Sequence, residues 1–139
     1  MALVFFIDRN LQGRTFYEPL RAAGLLVALH RNHFAHEAAD VEWIPVVAER
    51  GWIIVTADRR LRLAKDEQTA IVTAKARVVA LTQGKATFSE LAENFLFARA
   101  KIERFVKKHP APFFAVLSRP NEQDRQRGRA GNLTLRFPR

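Results

Sequence analysis

Leu3-Val4-Phe5-Phe6-Ile7-Asp8 is the stretch that decides the fold. Consecutive β-branched and aromatic residues with no polar alternate face are the pattern of a strand buried on both sides, and this run ends on a carboxylate. The pattern returns at Trp52-Ile53-Ile54-Val55-Thr56, closed by Ala57-Asp58, and without a terminal acid at Leu25 to Leu29, Arg77 to Leu81 and Phe113 to Leu117. Helical spacing fills the gaps. Phe16, Leu20 and Ala23 share one face of a helix over Arg14 to Ala23, which Gly24 stops. Asp40 reads as the N-cap of a helix through Arg50, with Pro45 expected to delay its start or bend it. A short helix is expected near Glu67 to Ala74. Thr87 or Ser89 caps one long helix to about Lys108, where Pro110 and Pro112 end it. Strands alternating with helices predict a single three-layer α/β/α domain with a mainly parallel sheet of about five strands, joined by right-handed crossovers.

At 139 residues the chain has room for one domain, and its 48% hydrophobic and 27% charged composition is that of a globular protein. The domain is placed at residues 1–118 and a basic C-terminal tail at 119–139, where six Arg face two acids. The tail reads as a solvated segment with an added edge strand, the alternative being an arm that binds a partner or nucleic acid. With no cysteine, disulfides, thiolate zinc sites and cysteine nucleophiles are excluded, and a reducing cytoplasm is the expected location. No apolar run reaches bilayer-spanning length, and Met1 to Asp8 lacks the features of a signal peptide. A net charge of +9 points to a polyanion, a membrane surface or an acidic protein. The absence of a Gly-rich phosphate loop argues against nucleotide-cofactor enzymes.

Sites in open parallel sheets form at the carboxyl ends of strands, where Asp8 and Asp58 lie, and Asp40 sits on the connection into the third strand. Each acid alone is explained as a turn or cap residue; their joint placement is not. Carboxylates sharing a site raise one another's pKa, and a divalent cation removes that penalty. Oxygen ligands without thiolates select Mg²⁺ or Mn²⁺. An acidic metal pocket in a basic protein suits a phosphodiester substrate, since the metal serves both water activation and the leaving oxygen. Arg9, Arg14, Arg59, Arg60 and Arg62 flank the acids, either as a rim that grips phosphate or as ordinary solvated charge. His30, His33 and His36 recur at a spacing of three and are read as loop or groove residues rather than zinc ligands. Trp43 and Trp52 are read as core.

Phe5-Phe6-Ile7-Asp8-Arg9-Asn10-Leu11, Asp40-Val41-Glu42-Trp43-Ile44 and Gly51-Trp52-Ile53-Ile54-Val55-Thr56-Ala57-Asp58-Arg59-Arg60 together resemble the PIN-domain family, in its compact branch of VapC-type toxins. There the acids are carried by an hhhDxxL strand, a DxEW helix start and a ghhhhTxD strand. The resemblance covers Leu3 to Leu63 well and is looser to Leu117. It implies a metal-dependent ribonuclease, commonly a toxin neutralised by a cognate antitoxin, with an RNA substrate and a homodimeric state. Asp8, Asp40 and Asp58 match the family's acids, and Thr56 matches the hydroxyl residue that supports the last of them. The additional Glu typical of PIN domains is missing from its usual place. Glu37, Glu42 and Glu67 are the candidates to replace it, and Glu67 is chosen because it falls at the acidic position of this branch. The catalytic set is then Asp8, Asp40, Asp58 and Glu67, with the first three as ligands for Mg²⁺ or Mn²⁺. Receiver and dehalogenase folds also place Asp after their first strand, but Asp8-Arg9-Asn10 satisfies neither pattern. The non-enzymatic alternative is a PIN-like module that binds nucleic acid or an antitoxin without catalysis.

Overall fold

The structure, a computed structural model, describes residues 2–58 and 64–138. Each predicted strand forms: β1 (Val4–Ile7), β2 (Leu26–Leu29), β3 (Ile53–Thr56), β4 (Arg77–Leu81) and β5 (Phe113–Leu117). They lie parallel, and β6 (Leu133–Phe137) joins antiparallel to β5, giving one sheet in the order β2-β1-β3-β4-β5-β6. The predicted α/β class and mainly parallel sheet are borne out, with a sixth strand added.

Period-two alternation divides the sheet between two cores. Phe5, Ile7, Ile53, Val55, Phe113 and Ala115 face α1 (Arg14–Ala22), α4 (Phe88–Phe97) and α5 (Arg99–Lys108), which bring Phe16, Leu20, Phe95 and Ile102 against them. Phe6, Ile54, Val78 and Phe114 face α2 (Asp40–Glu49) and α3 (Lys65–Ala74), which contribute Trp43, Ile44, Val47 and Ile71. Continuous apolar strands are what a sheet covered on both faces requires.

Three local expectations change. Asp40 is the first residue of α2, while Ala39 is its N-cap, and no side chain caps this helix end. That helix runs from Asp40 through Pro45 to Glu49. The single long helix expected after Thr87 is two, broken at Ala98, which is fully buried in the first core. No Gly or Pro marks the break.

The segment after Pro120 folds onto the sheet. It contains α6 (Glu122–Gln126), held by a 2.8 Å bond from Arg125 Nε to Glu93 Oε1, and then β6. Along β6 a bulge at Arg136 shifts the register, pairing Leu135 with Ala115 but Phe137 with Phe114. One extra residue reverses the facing of the residues beyond it. Leu133 and Leu135 therefore pack on the first core, and Phe137 stacks on Phe114 in the second, with ring centroids 4.9 Å apart.

Buried Asn94 is the polar tie for this segment: its amide donates to Ser118 O at 3.0 Å and its carbonyl accepts Gly131 N–H at 3.0 Å. A Cβ on Gly131 would lie 1.7 Å from Ser118 O, so no side chain fits there. Replacing Asn94 with Ala leaves two buried backbone groups unpaired. Urea denaturation of N94A is expected to show a loss of about 1–3 kcal/mol, with β6 the first element to lose amide protection in hydrogen exchange.

Candidate active site

The strand order reverses between β1 and β3: the chain leaves β1 toward β2 on one side and returns to β3 on the other. Loops diverge at such a switch point and leave a cleft beyond the carboxyl ends of the strands. Asp8 and Asp58 both sit there. They line one cleft of about 880 Å³ with Arg9, Asn10, His36, Glu37 and Ala57.

Asp8 continues the parallel ladder, its N–H donating to Val55 O at 3.0 Å. Its side chain is almost completely buried. Oδ1 accepts the Arg9 N–H at 2.7 Å and Oδ2 accepts the Thr56 hydroxyl at 2.8 Å. Thr56 Oγ1 in turn accepts the Asp58 N–H at 3.0 Å. One hydroxyl therefore fixes both the Asp8 carboxylate and the backbone that presents Asp58, a wider role than supporting Asp58 alone. Asn10, beside them, reaches the Ala57 N–H through its side-chain oxygen at 3.4 Å.

Burial pushes the Asp8 carboxyl up from 3.8 to about 6. The bonds from Thr56 and Arg9 N–H pull it down, the charge of Asp40 adds to the rise, and that of Arg9 opposes it. The influence of Asp40 shows that the helix-start acid lies within electrostatic reach of Asp8. It does not, however, line the cleft. Asp40 Oδ1 accepts Arg9 Nη2 at 2.8 Å and Trp43 Nε1 at 3.0 Å. Arg9 Nη1 also donates to Ala38 O at 2.9 Å and to His36 O.

Glu67 lies in the first turn of α3 and is not among the residues lining the cleft, whereas Glu37 is. Arg14, expected on a phosphate-gripping rim, pairs with Glu18 at 2.9 Å on the exposed face of α1. Arg59, Arg60 and Arg62 lie outside the described residues. His30 is fully buried against Phe6, Phe34 and Trp43, with no hydrogen-bond partner for either ring nitrogen among the described residues. Burial lowers its pKa, Arg9 and His36 act in the same direction, and Asp40 opposes them. Its histidine triplet forms no zinc site: among the described residues no three His, Asp or Glu side chains are grouped to hold a metal. Trp43 is core, as expected, and Trp52 is half-buried, stacked on Phe6 with Arg50 over its ring.

The donor set still fits a hard divalent cation. Mg²⁺ binds through one or two carboxylates and fills its other positions with water and substrate phosphate, so Asp8 and Asp58 suffice. Sequence reasoning did not assign Asn10, weighed Glu37 only as an alternative to Glu67, and read Arg9 as a rim residue rather than as a clasp on Asp40. Asn10 has a signal in its place two residues after Asp8, and Glu37 in its place just ahead of the Asp40 helix.

The fold and this cleft define the class of protein. Residues 3–83, more than half of the chain, match the PIN-like domain model, and the chain belongs to that family. It is also similar to "Putative ribonuclease VapC45" of Mycobacterium tuberculosis (strain ATCC 25618 / H37Rv), with 28% identity over 112 residues spanning 78% of this chain and 80% of that one. The resemblance seen in the sequence motifs is thereby borne out. No solved structure gives a significant match. Among the described residues, no helix is long and apolar enough to cross a membrane.

The raised Asp8 pKa has a measurable sign. Between pH 3.8 and about 6 the folded chain binds the Asp8 proton more tightly than the unfolded chain does, so stability falls as pH rises through this window. Above it the penalty is fully present, and below it the penalty is gone. Without added metal, D8N is expected to exceed the wild type in stability at pH 7 by up to about 3 kcal/mol, with the gap closing by pH 4. Chemical denaturation at the two pH values checks this; a gap of constant size would show that burial of Asp8 carries no such penalty.

Proposed function

We propose that this chain is a ribonuclease that hydrolyses RNA phosphodiester bonds with Mg²⁺ or Mn²⁺, acting in the cytoplasm as the toxin of a type II toxin–antitoxin pair. The observation that carries the reading is the shared placement of Asp8 and Asp58 in one cleft at the β1/β3 switch point, joined through Thr56. Membership of the PIN-like family and similarity to a protein named as a VapC ribonuclease support the same activity.

Asp8 and Asp58 would hold the cation, which when bound supplies water activation and charge neutralisation at the phosphate. Thr56 keeps both acids in place. Asp40 adds negative charge behind Asp8 and anchors Arg9, while Glu37 and Glu67 are the two candidates for a further acid. The reaction calls for no side-chain nucleophile, and the chain has no cysteine to offer one. The net charge of +9 favours approach of a polyanion, with Arg59, Arg60 and Arg62, which follow Asp58 in the sequence, as the proposed contributors. A small antitoxin that covers the acids and a second copy of this chain are the proposed protein partners.

Cleavage of a labelled RNA by the purified full chain tests the reading. Activity is expected with Mn²⁺ or Mg²⁺ and not with chelator, and D58N is expected to lower the rate by about a thousandfold, equivalent to roughly 4 kcal/mol of transition-state stabilisation. T56V, which loosens both acids without removing either, is expected to cost about ten- to a hundredfold. RNA binding with a steep salt dependence and no cleavage under any metal would instead identify a binding module. Full activity in D58N, prepared free of host nucleases, would refute the assignment of the acid.

A further inference from the structure

A second cavity, of about 510 Å³, adjoins the acid cleft and shares Ala57 and Asp58 with it. It opens at the carboxyl ends of β3, β4 and β5. Ala80 of β4 and Phe114 and Val116 of β5 supply its apolar floor, all three from the second core. Ala80 carries only a methyl group where Val78, on the same face of the strand, is branched. The turn after β4 adds a polar wall, with Thr82, Gln83 and Gly84 lining the cavity. Backbone bonds hold that turn: Thr82 N–H donates to Leu117 O at 3.1 Å and Ala86 N–H to Gln83 O at 2.8 Å. Arg119 Nη1 lies 3.5 Å from where a Cβ on Gly84 would stand, so its guanidinium rests beside the turn. Arg119 and Lys85 are both exposed there. Among the described residues that line the cavity, Asp58 is the one charged group.

We propose that this cavity is a nucleotide subsite, which holds the base of an RNA nucleotide next to the bond cleaved at Asp58, with Gln83 as the residue that reads the base. The inference rests on the ribonuclease reading above and adds where the substrate is recognised. The volume is that of a small-ligand site. A base has an apolar face and a polar edge, and single-stranded RNA is recognised through both. Ala80, Phe114 and Val116 meet the face, while the Gln83 carboxamide offers a donor and an acceptor to the edge. Arg119 and Lys85 at the rim suit the adjoining phosphate, a contact that positions the strand without reading it. An acidic peptide side chain in the same space would meet the Asp58 carboxylate, whereas a neutral base does not. The β5 floor and Arg119 lie beyond residues 3–83, so they are not part of what the family match covers.

Nucleoside 5′-monophosphates probe the subsite without reference to activity. The full chain, isotopically labelled and free of added metal, is titrated with each of the four and followed by amide NMR. The amides of Thr82, Gln83 and Gly84 are expected to shift. The best base is expected to bind about tenfold tighter than the worst, the order of discrimination that one bidentate amide–base pair supplies. A80L, which fills the floor, is expected to abolish these shifts. Q83A, whose turn is held by backbone bonds, is expected to bind all four alike, and R119Q to weaken all four to the same extent. With RNA as substrate, the wild type is expected to prefer one base at a fixed position beside the cut, and Q83A to lose that preference. The ratio of rates among RNAs decides this arm, because a merely destabilised variant slows every RNA equally. Should A80L not fold, Q83A decides alone. No shifts at residues 82–84, or an unchanged base preference in Q83A, would overturn the inference while leaving the nuclease reading intact. Nucleotide binding at residues 82–84 without RNA cleavage under Mn²⁺ or Mg²⁺ would remove the nuclease reading, and with it the subsite's place beside a cut.

Discussion

A carboxylate at the end of a fully buried strand is costly to keep ionised, and the arrangement around Asp8 answers that cost. Asp8 follows Phe5, Phe6 and Ile7, all of them buried, and inherits their burial. Two donors are aimed at it, the Thr56 hydroxyl and the Arg9 N–H, and still burial and Asp40 hold its pKa near 6. The hydrogen bonds are too few to offset desolvation, which leaves a group that gains from a cation. The raised pKa is therefore an electrostatic consequence of where the strand ends.

Thr56 connects this constraint to the fold. Its position opposite Asp8 depends on the parallel register of β1 with β3, in which Ile7 pairs with Val55. That register brings residues far apart in the chain within hydrogen-bonding distance, and the Thr56 oxygen then serves two neighbours at once. A one-residue slip would turn the side chains of one strand to the opposite core and separate Thr56 from Asp8. The two cores thus guard the site: burying Phe6 and Ile54 on one face and Phe5, Ile53 and Val55 on the other permits only one register.

The second face of the sheet carries the other half of the arrangement. Trp43, fully buried, donates its indole N–H to Asp40, so the same residue fills the core and orients the acid. His30 packs beside it as an imidazole whose charged form burial disfavours. Arg9 then ties the loop before α2 to the end of β1. The residues 36–40 segment is held by one guanidinium and one indole, an economical way to place an acid on a stretch with little regular structure.

Much of this was legible in the linear order of residues. Apolar runs ending in acids set the strands and the site's end of the sheet, because a strand buried on both faces has no polar alternation to disguise it. The DxEW and TxD motifs carried the family. Tertiary structure alone decided three things. It broke the helix at buried Ala98, where the sequence has no Gly or Pro, and it drew residues 133–137 into the sheet through a bulge and the Asn94 tie. It also put Asp40 on Arg9, with Glu37 rather than Glu67 in the cleft. Periodicity reports which face of an element is buried, a property of neighbours in the chain. Which oxygen meets which cation depends on side chains brought together from thirty or more residues away, and that information exists only once the sheet has closed its register.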